Sequence, residues 1–161
     1  MADQALLLKR LRDDSGFVRG LAEQGLWALW RRSGDAAIDR LMAAGIERMQ
    51  AGEFAPAIAA FSEVIRRMPA FAEGWNKRAT AHYLAGDYRR SLADCGEVMK
   101  RNPNHFGALS GYGQIYFRLE QYDKALEYWR RALEVNPNMP GVEINIRGAE
   151  ELLKEKKGRA I

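Results

Sequence analysis

Three prolines, Pro69, Pro103 and Pro137, stand 34 residues apart in this chain. Each interrupts the same kind of passage: "IRRMPAFAEGW" (65–75), "MKRNPNHFGAL" (99–109) and "ALEVNPNMPGV" (132–142). A polar or basic stretch with helical apolar spacing ends at the proline, and a fresh apolar stretch begins after it. Proline cannot continue a helix, and it pushes the residue before it out of the helical region. A stop signal at constant spacing therefore predicts a repeated supersecondary unit, and such units bury their apolar faces only against one another.

Laid out as blocks 38–71, 72–105 and 106–139, the columns agree in size and polarity. The fourth position holds Leu41, Trp75 or Leu109, and the eighth holds Gly45, Ala79 or Gly113. The seventeenth is Phe54, Tyr88 or Tyr122, and the twentieth is Ala57, Ser91 or Ala125. Further on come Phe61, Cys95 or Trp129, then Val64, Val98 or Ala132. Apolar spacings of three and four in both halves give two amphipathic helices per unit. Small residues at the eighth and twentieth places let the two helices approach closely. "AGEF" and "AGDY" supply the turn, with Gly52 and Gly86 suited to a left-handed backbone. The third unit reads "LEQY", which places Glu120 where that glycine stands. The same backbone there costs on the order of 1 kcal/mol.

These in-phase columns resemble the tetratricopeptide repeat family. The resemblance implies an all-α, right-handed α-solenoid of three helix hairpins. It places repeats at 38–71, 72–105 and 106–139, an N-terminal helical pair at 1–37, and a capping helix with a charged tail at 140–161. Stacked repeats expose an apolar face at each end that must be covered. In "GVEINIRGAEELLKEKKGRAI" (141–161), Val142, Ile146, Ala149, Leu152 and Leu153 fall near one side of a closing helix. "DQALLLKRLRDD" and "SGFVRGLAEQGLWALWRRSGD" read as two helices, a degenerate fourth unit being one reading because Trp27 lies 34 residues before Phe61. Trp27 and Trp30 either seal the stack or present an aromatic patch to a partner.

Several function classes find little support. No apolar run approaches the roughly 18 residues that would span a bilayer. The opening "MADQALLLKRLRDDSG" lacks the layout of a secretory signal, so a cytoplasmic protein is expected. One cysteine, Cys95, allows no internal disulfide and no cysteine-built zinc site. His82 and His105 are far apart in sequence with no carboxylate at ligand spacing, and "GYGQIY" has neither the glycines nor the strand of a phosphate loop. No metal and no cofactor are expected. The one pairing suggestive of catalysis is Cys95 with His82, on the two helices of one unit. Cys95, however, occupies a column otherwise filled by Phe61 and Trp129, so it reads as core, and a non-enzyme is expected.

In the resembling family the first helix of each unit lines a concave groove. The groove positions here are Met42, Ile46 and Met49, then Asn76, Thr80 and Tyr83, then Ser110, Gln114 and Phe117, with Lys77 and Arg118 at the edge. Each trio is spaced four then three, which makes one stripe. The front is apolar and adaptable, and the middle and rear combine amides, hydroxyls and one ring each. This predicts a protein or peptide partner bound in the groove. Chaperone-binding family members grip a carboxylate with lysine, asparagine and arginine at fixed places; here those places hold Met42, Ile46, Lys77, Gly107 and Gly111. No such clamp is expected. Two other readings are self-association through the N-terminal aromatics or a solenoid end, and RNA binding by doublets such as Arg66-Arg67 and Lys100-Arg101. The net charge is only +4 and the doublets are scattered, so nucleic acid is the weaker of the two.

Overall fold

The computed structural model describes residues 2–159, and every regular element among them is a helix. In chain order these are α1 (Ala2–Arg10), α2 (Gly16–Trp30), α3 (Ala36–Gln50), α4 (Phe54–Arg67), α5 (Ala72–Leu84), α6 (Tyr88–Arg101), α7 (Phe106–Arg118), α8 (Tyr122–Val135) and α9 (Pro140–Arg159). None of the described helices is long and apolar enough to cross a membrane. The helices group into two compact units. Residues 27–103 form the central unit; among the described residues, 2–26 and 104–159 form the terminal unit.

The helix ends follow from local chemistry. Asp35 starts α3 by accepting the amides of Ala37 (2.7 Å) and Ile38 (3.2 Å). Asp87 accepts from the Arg90 amide at the start of α6. At the start of α7 the cap is a fully buried histidine, His105, whose Nδ1 accepts the Ala108 amide at 3.0 Å. The second helices stop for one shared reason. Their C-caps, Met68, Asn102 and Asn136, each precede a repeat proline and have left the helical region, with ψ of 71°, 89° and 100°.

The turn inside each hairpin is also the same three times. Glu53, Asp87 and Gln121 donate their amides to the carbonyls of Arg48, His82 and Tyr116, and the residue before each donates to Met49, Tyr83 and Phe117. This paired closure requires a left-handed residue, supplied by Gly52 (φ 77°), Gly86 (φ 80°) and Glu120 (φ 55°). The third turn thus keeps the backbone without the glycine, and the Lys156 ammonium donates to the Glu120 carbonyl at 3.2 Å.

Within the central unit, α3 packs on α4, α4 on α5 and α5 on α6. Its core joins Ile38, Met42, Ala57, Phe61, Val64, Phe71 and Ala81. A methyl group added at Gly45 would lie 2.5 Å from the Phe61 ring, so the glycine is what lets that ring lie against α3. The carbonyl of Pro69 accepts from both the Trp75 indole (3.0 Å) and Arg101 Nε (2.5 Å), and the Arg101 guanidinium covers the Trp75 ring at 4.5 Å.

In the terminal unit, α7 packs on α8 and α8 on α9. Gly113 stands to Trp129 as Gly45 does to Phe61, with an added methyl only 2.3 Å from the indole. Val142 and Ala149 of α9 are buried on Ala125, Leu126 and Trp129, with Ile146 and Leu153 beside them. The α1–α2 corner docks on the α8–α9 turn: Asn138 Nδ2 donates to the Leu11 carbonyl at 2.7 Å, and Arg12 donates to the Glu134 carbonyl. Leu11 is fully buried there.

Glu120→Gly should relieve the left-handed penalty and raise unfolding stability by about 1 kcal/mol in chemical denaturation. A neutral or destabilising result would mean that Glu120 contributes contacts outweighing its backbone cost.

Candidate functional site

In the central unit the expected groove residues lie on α3 and α5. Met42, Ile46 and Lys77 line one cleft of about 470 Å³, together with Arg31, Asp39 and Glu73. Met42 is only 7% exposed and belongs to the core, with Ile46 and Met49 packed against that core as half-buried neighbours. The apolar part of the stripe is thus the rim of the hairpin core.

The polar part is organised by Glu73, a carboxylate only 1% exposed on the first turn of α5. Lys77 Nζ approaches it at 3.5 Å, and Asn76 Nδ2 donates to it at 3.2 and 3.3 Å. Burying a charge is costly unless it is paired and hydrogen-bonded, and residues three and four positions further along the helix do both. The donor end of Asn76 is therefore directed to Glu73. The Thr80 hydroxyl donates to the Asn76 carbonyl at 3.1 Å, and Tyr83 lies against Tyr88 with ring centres 5.6 Å apart.

In the terminal unit the corresponding residues are on α7. The Ser110 carbonyl accepts from the Trp129 indole at 3.2 Å. Phe117 lies between Tyr122 (5.5 Å) and Trp129 (5.7 Å), Gln114 is half-buried, and Arg118 is exposed.

Cys95 and His82 lack the electrostatics of a nucleophile pair. Cys95 is 2% exposed, and burial, with the Asp94 charge as a smaller cause, pushes its thiol up to about 12. A reactive cysteine needs the opposite shift. Burial also lowers the His82 pKa, with Asp94 opposing it only in part.

Two features carry no signal in the groove columns. Arg31, at the C-terminal end of α2, reaches the α3–α5 cleft and lies over the Trp27 ring at 5.4 Å. On α4, α5 and α6, Arg78 forms a bidentate pair with Asp94, both contacts 2.8 Å, and donates to Ser62 at 3.0 Å. Positions 34 residues after Arg78, His82 and Asp94 hold Tyr112, Tyr116 and Tyr128, whose rings cluster with centres 4.3–6.3 Å apart. A column trio that is polar in one repeat and aromatic in the next is the trace this arrangement leaves in the sequence.

Comparison with known proteins agrees with the repeat geometry. Tetratricopeptide repeat family models match residues 42–95 and 108–139. A TPR repeat-containing protein of Rhizobium etli is 35% identical over 108 residues, covering 67% of this chain and 53% of the relative. The Hsp70-Hsp90 organizing protein 1 of Glycine max is 27% identical over 115 residues, which is 71% of this chain and 20% of that protein. The chain thus spans about half the length of the Rhizobium relative and a fifth of the soybean one. Among solved structures, the Sgt2 TPR domain from Aspergillus fumigatus superposes with a TM-score of 0.74 at 20% identity, over 79% of this chain and 85% of that one. The first TPR of Spaghetti (RPAP3) bound to the HSP90 peptide SRMEEVD gives 0.70 at 21% identity, over 73% and 93%. At such identities these likenesses speak to the fold alone, whereas the repeat matches and the Rhizobium relative speak to descent: the chain belongs to the tetratricopeptide repeat family.

Proposed function

We propose that this chain is a non-catalytic interaction scaffold that holds a peptide segment or helix of a partner protein against the first helices of its repeats. The observation that carries this reading is the α3–α5 cleft. Two expected groove residues from one helix, Met42 and Ile46, and one from the next, Lys77, line the same open space. Its apolar rim and its braced Glu73–Lys77–Asn76 cluster give a partner one surface to cover and one set of polar groups to match. Similar proteins whose names or bound peptides refer to Hsp70 and Hsp90 support the choice of a protein partner. The high thiol pKa of Cys95 supports the absence of catalysis.

The carboxylate clamp is not part of the proposal. Met42, Ile46, Gly107 and Gly111 supply no cation or amide at its places, and Lys77 is already committed to Glu73. The peptide SRMEEVD should therefore show no saturable binding at concentrations up to about 1 mM, where even a weak complex of −4 kcal/mol would be half formed. Micromolar binding in calorimetry would restore the clamp.

The scaffold reading is tested by affinity capture with mass spectrometry, comparing the natural chain with an Asn76→Ala/Tyr83→Ala double variant. The variant should lose the specific partners while keeping its circular dichroism spectrum. An unchanged set of partners would remove the groove assignment.

A further inference from the structure

On α2 two large apolar side chains stand in solvent one helical turn apart, Phe17 at 76% and Leu21 at 51% exposure. The sequence allows Trp27 and Trp30 as an aromatic patch in this region. Trp30 is instead buried and Trp27 half-buried, with their rings edge to face at 5.5 Å. The ring that α2 presents to solvent is Phe17.

Beside this ridge runs a row without side chains. Gly16 and Gly20 stand one residue before Phe17 and Leu21, and both are exposed. A methyl group added to Gly20 would meet nothing within 4 Å, and one added to Gly16 only the Arg19 side chain, at 3.4 Å. Packing within the chain therefore requires neither glycine, although glycine inside a helix is destabilising. At other helix glycines of the terminal unit a large side chain takes the space: Leu7 lies against Gly25, and Trp129 against Gly113. None of the described residues does so at Gly20.

The face is also uncharged, and that decides the occupant. Between Gly16 and Gly25, α2 carries only Arg19 and Glu23. Both are half-buried, and Arg19 is tied to the carbonyls of Asp13 and Asp14 at 2.8 and 3.0 Å. Helical rotation turns them away from Phe17 and Leu21. In a two-fold contact each residue near the axis meets its own copy, so a charge there would repel itself, and this face has none. The shape is self-complementary as well. Residues four apart form ridges that seat in the grooves of a facing helix. An oppositely directed copy of α2 brings Phe17 against the partner's Gly20 and Leu21 against the partner's Gly16, and both contacts recur across the axis.

We propose that the chain associates with a second copy of itself through α2, the Phe17–Leu21 ridge of each copy seated in the Gly16–Gly20 groove of the other. The contact uses residues of the terminal unit alone and does not depend on the reading given to the α3–α5 cleft.

The test is sedimentation equilibrium of the full chain at concentrations up to about 1 mM, which detects even a weak dimer. The chain should show a reversible monomer–dimer equilibrium. Phe17→Ser should raise the dissociation constant about tenfold or more, as expected for a central aromatic anchor. Gly20→Leu separates a seated ridge from general stickiness, because it makes the face more apolar and the helix more favourable while filling the groove. It should also weaken the dimer about tenfold or more, with the melting temperature unchanged or higher. A strict monomer at the highest concentration would overturn the proposal, as would assembly that grows beyond a dimer. So would a dimer that Phe17→Ser leaves unchanged, or one that Gly20→Leu leaves unchanged or tightens. Loss of the circular dichroism spectrum in either variant would show that position to be packed within one chain, which overturns it too.

Discussion

The closeness of the two helices within each repeat is the constraint from which the other features follow. It is set by one pairing of sizes, a small residue at the eighth position facing the side chain at the twenty-fourth. Gly45 lets the Phe61 ring lie against α3, and Gly113 does the same for Trp129 against α7. The middle repeat divides the space differently: Ala79 takes the eighth position and Cys95 the twenty-fourth, both buried. More volume on one helix is matched by less on the other, as close-packed interiors require. Truncating a ring such as Phe61 or Trp129 costs about 3–5 kcal/mol, a large fraction of the stability of a small domain.

Much of this was legible in the sequence because the relevant signals are local. The pre-proline stops at Met68, Asn102 and Asn136, the left-handed turn residues and the eighth-position glycines each depend on a few neighbours along the chain or on one repeat's own geometry. Even Glu120, which breaks the glycine pattern, keeps the left-handed turn, because the two amide–carbonyl closures around it are the same as in the other repeats. The docking of Leu11 and Arg12 on the α8–α9 turn had no such signal. It joins residues 127 and 122 positions apart through backbone carbonyls, which any residue type can offer.

The candidate site was legible in outline and less so in chemistry. Met42, Ile46 and Lys77, grouped by helical spacing, line one cleft, but spacing does not say how far a side chain sinks into the core, and Met42 sinks almost completely. Asn76 looks like a free amide until Glu73, three residues earlier, is seen to be buried and in need of donors. Arg31 comes from outside the repeats, so no repeat column could point to it. The Arg78–Asp94–Ser62 cluster lies in columns whose residue type changes from repeat to repeat, Ala44, Arg78 and Tyr112 in one and Ala60, Asp94 and Tyr128 in another, and a reading tuned to apolar periodicity passes over them. Chemistry in this chain is concentrated where one repeat departs from the others.

The central claim is that complementary sizes at the eighth and twenty-fourth positions, rather than the identity of either residue, hold each hairpin together. A double-mutant cycle in the middle repeat tests it most directly: Ala79→Gly, Cys95→Phe and the two combined, compared by denaturant unfolding. Each single change should destabilise, one by leaving a void and a flexible glycine, the other by overfilling the space. The pair should recover at least about 1 kcal/mol relative to the sum of the two. Strictly additive losses would contradict the account, because they would show that the two positions do not share one space.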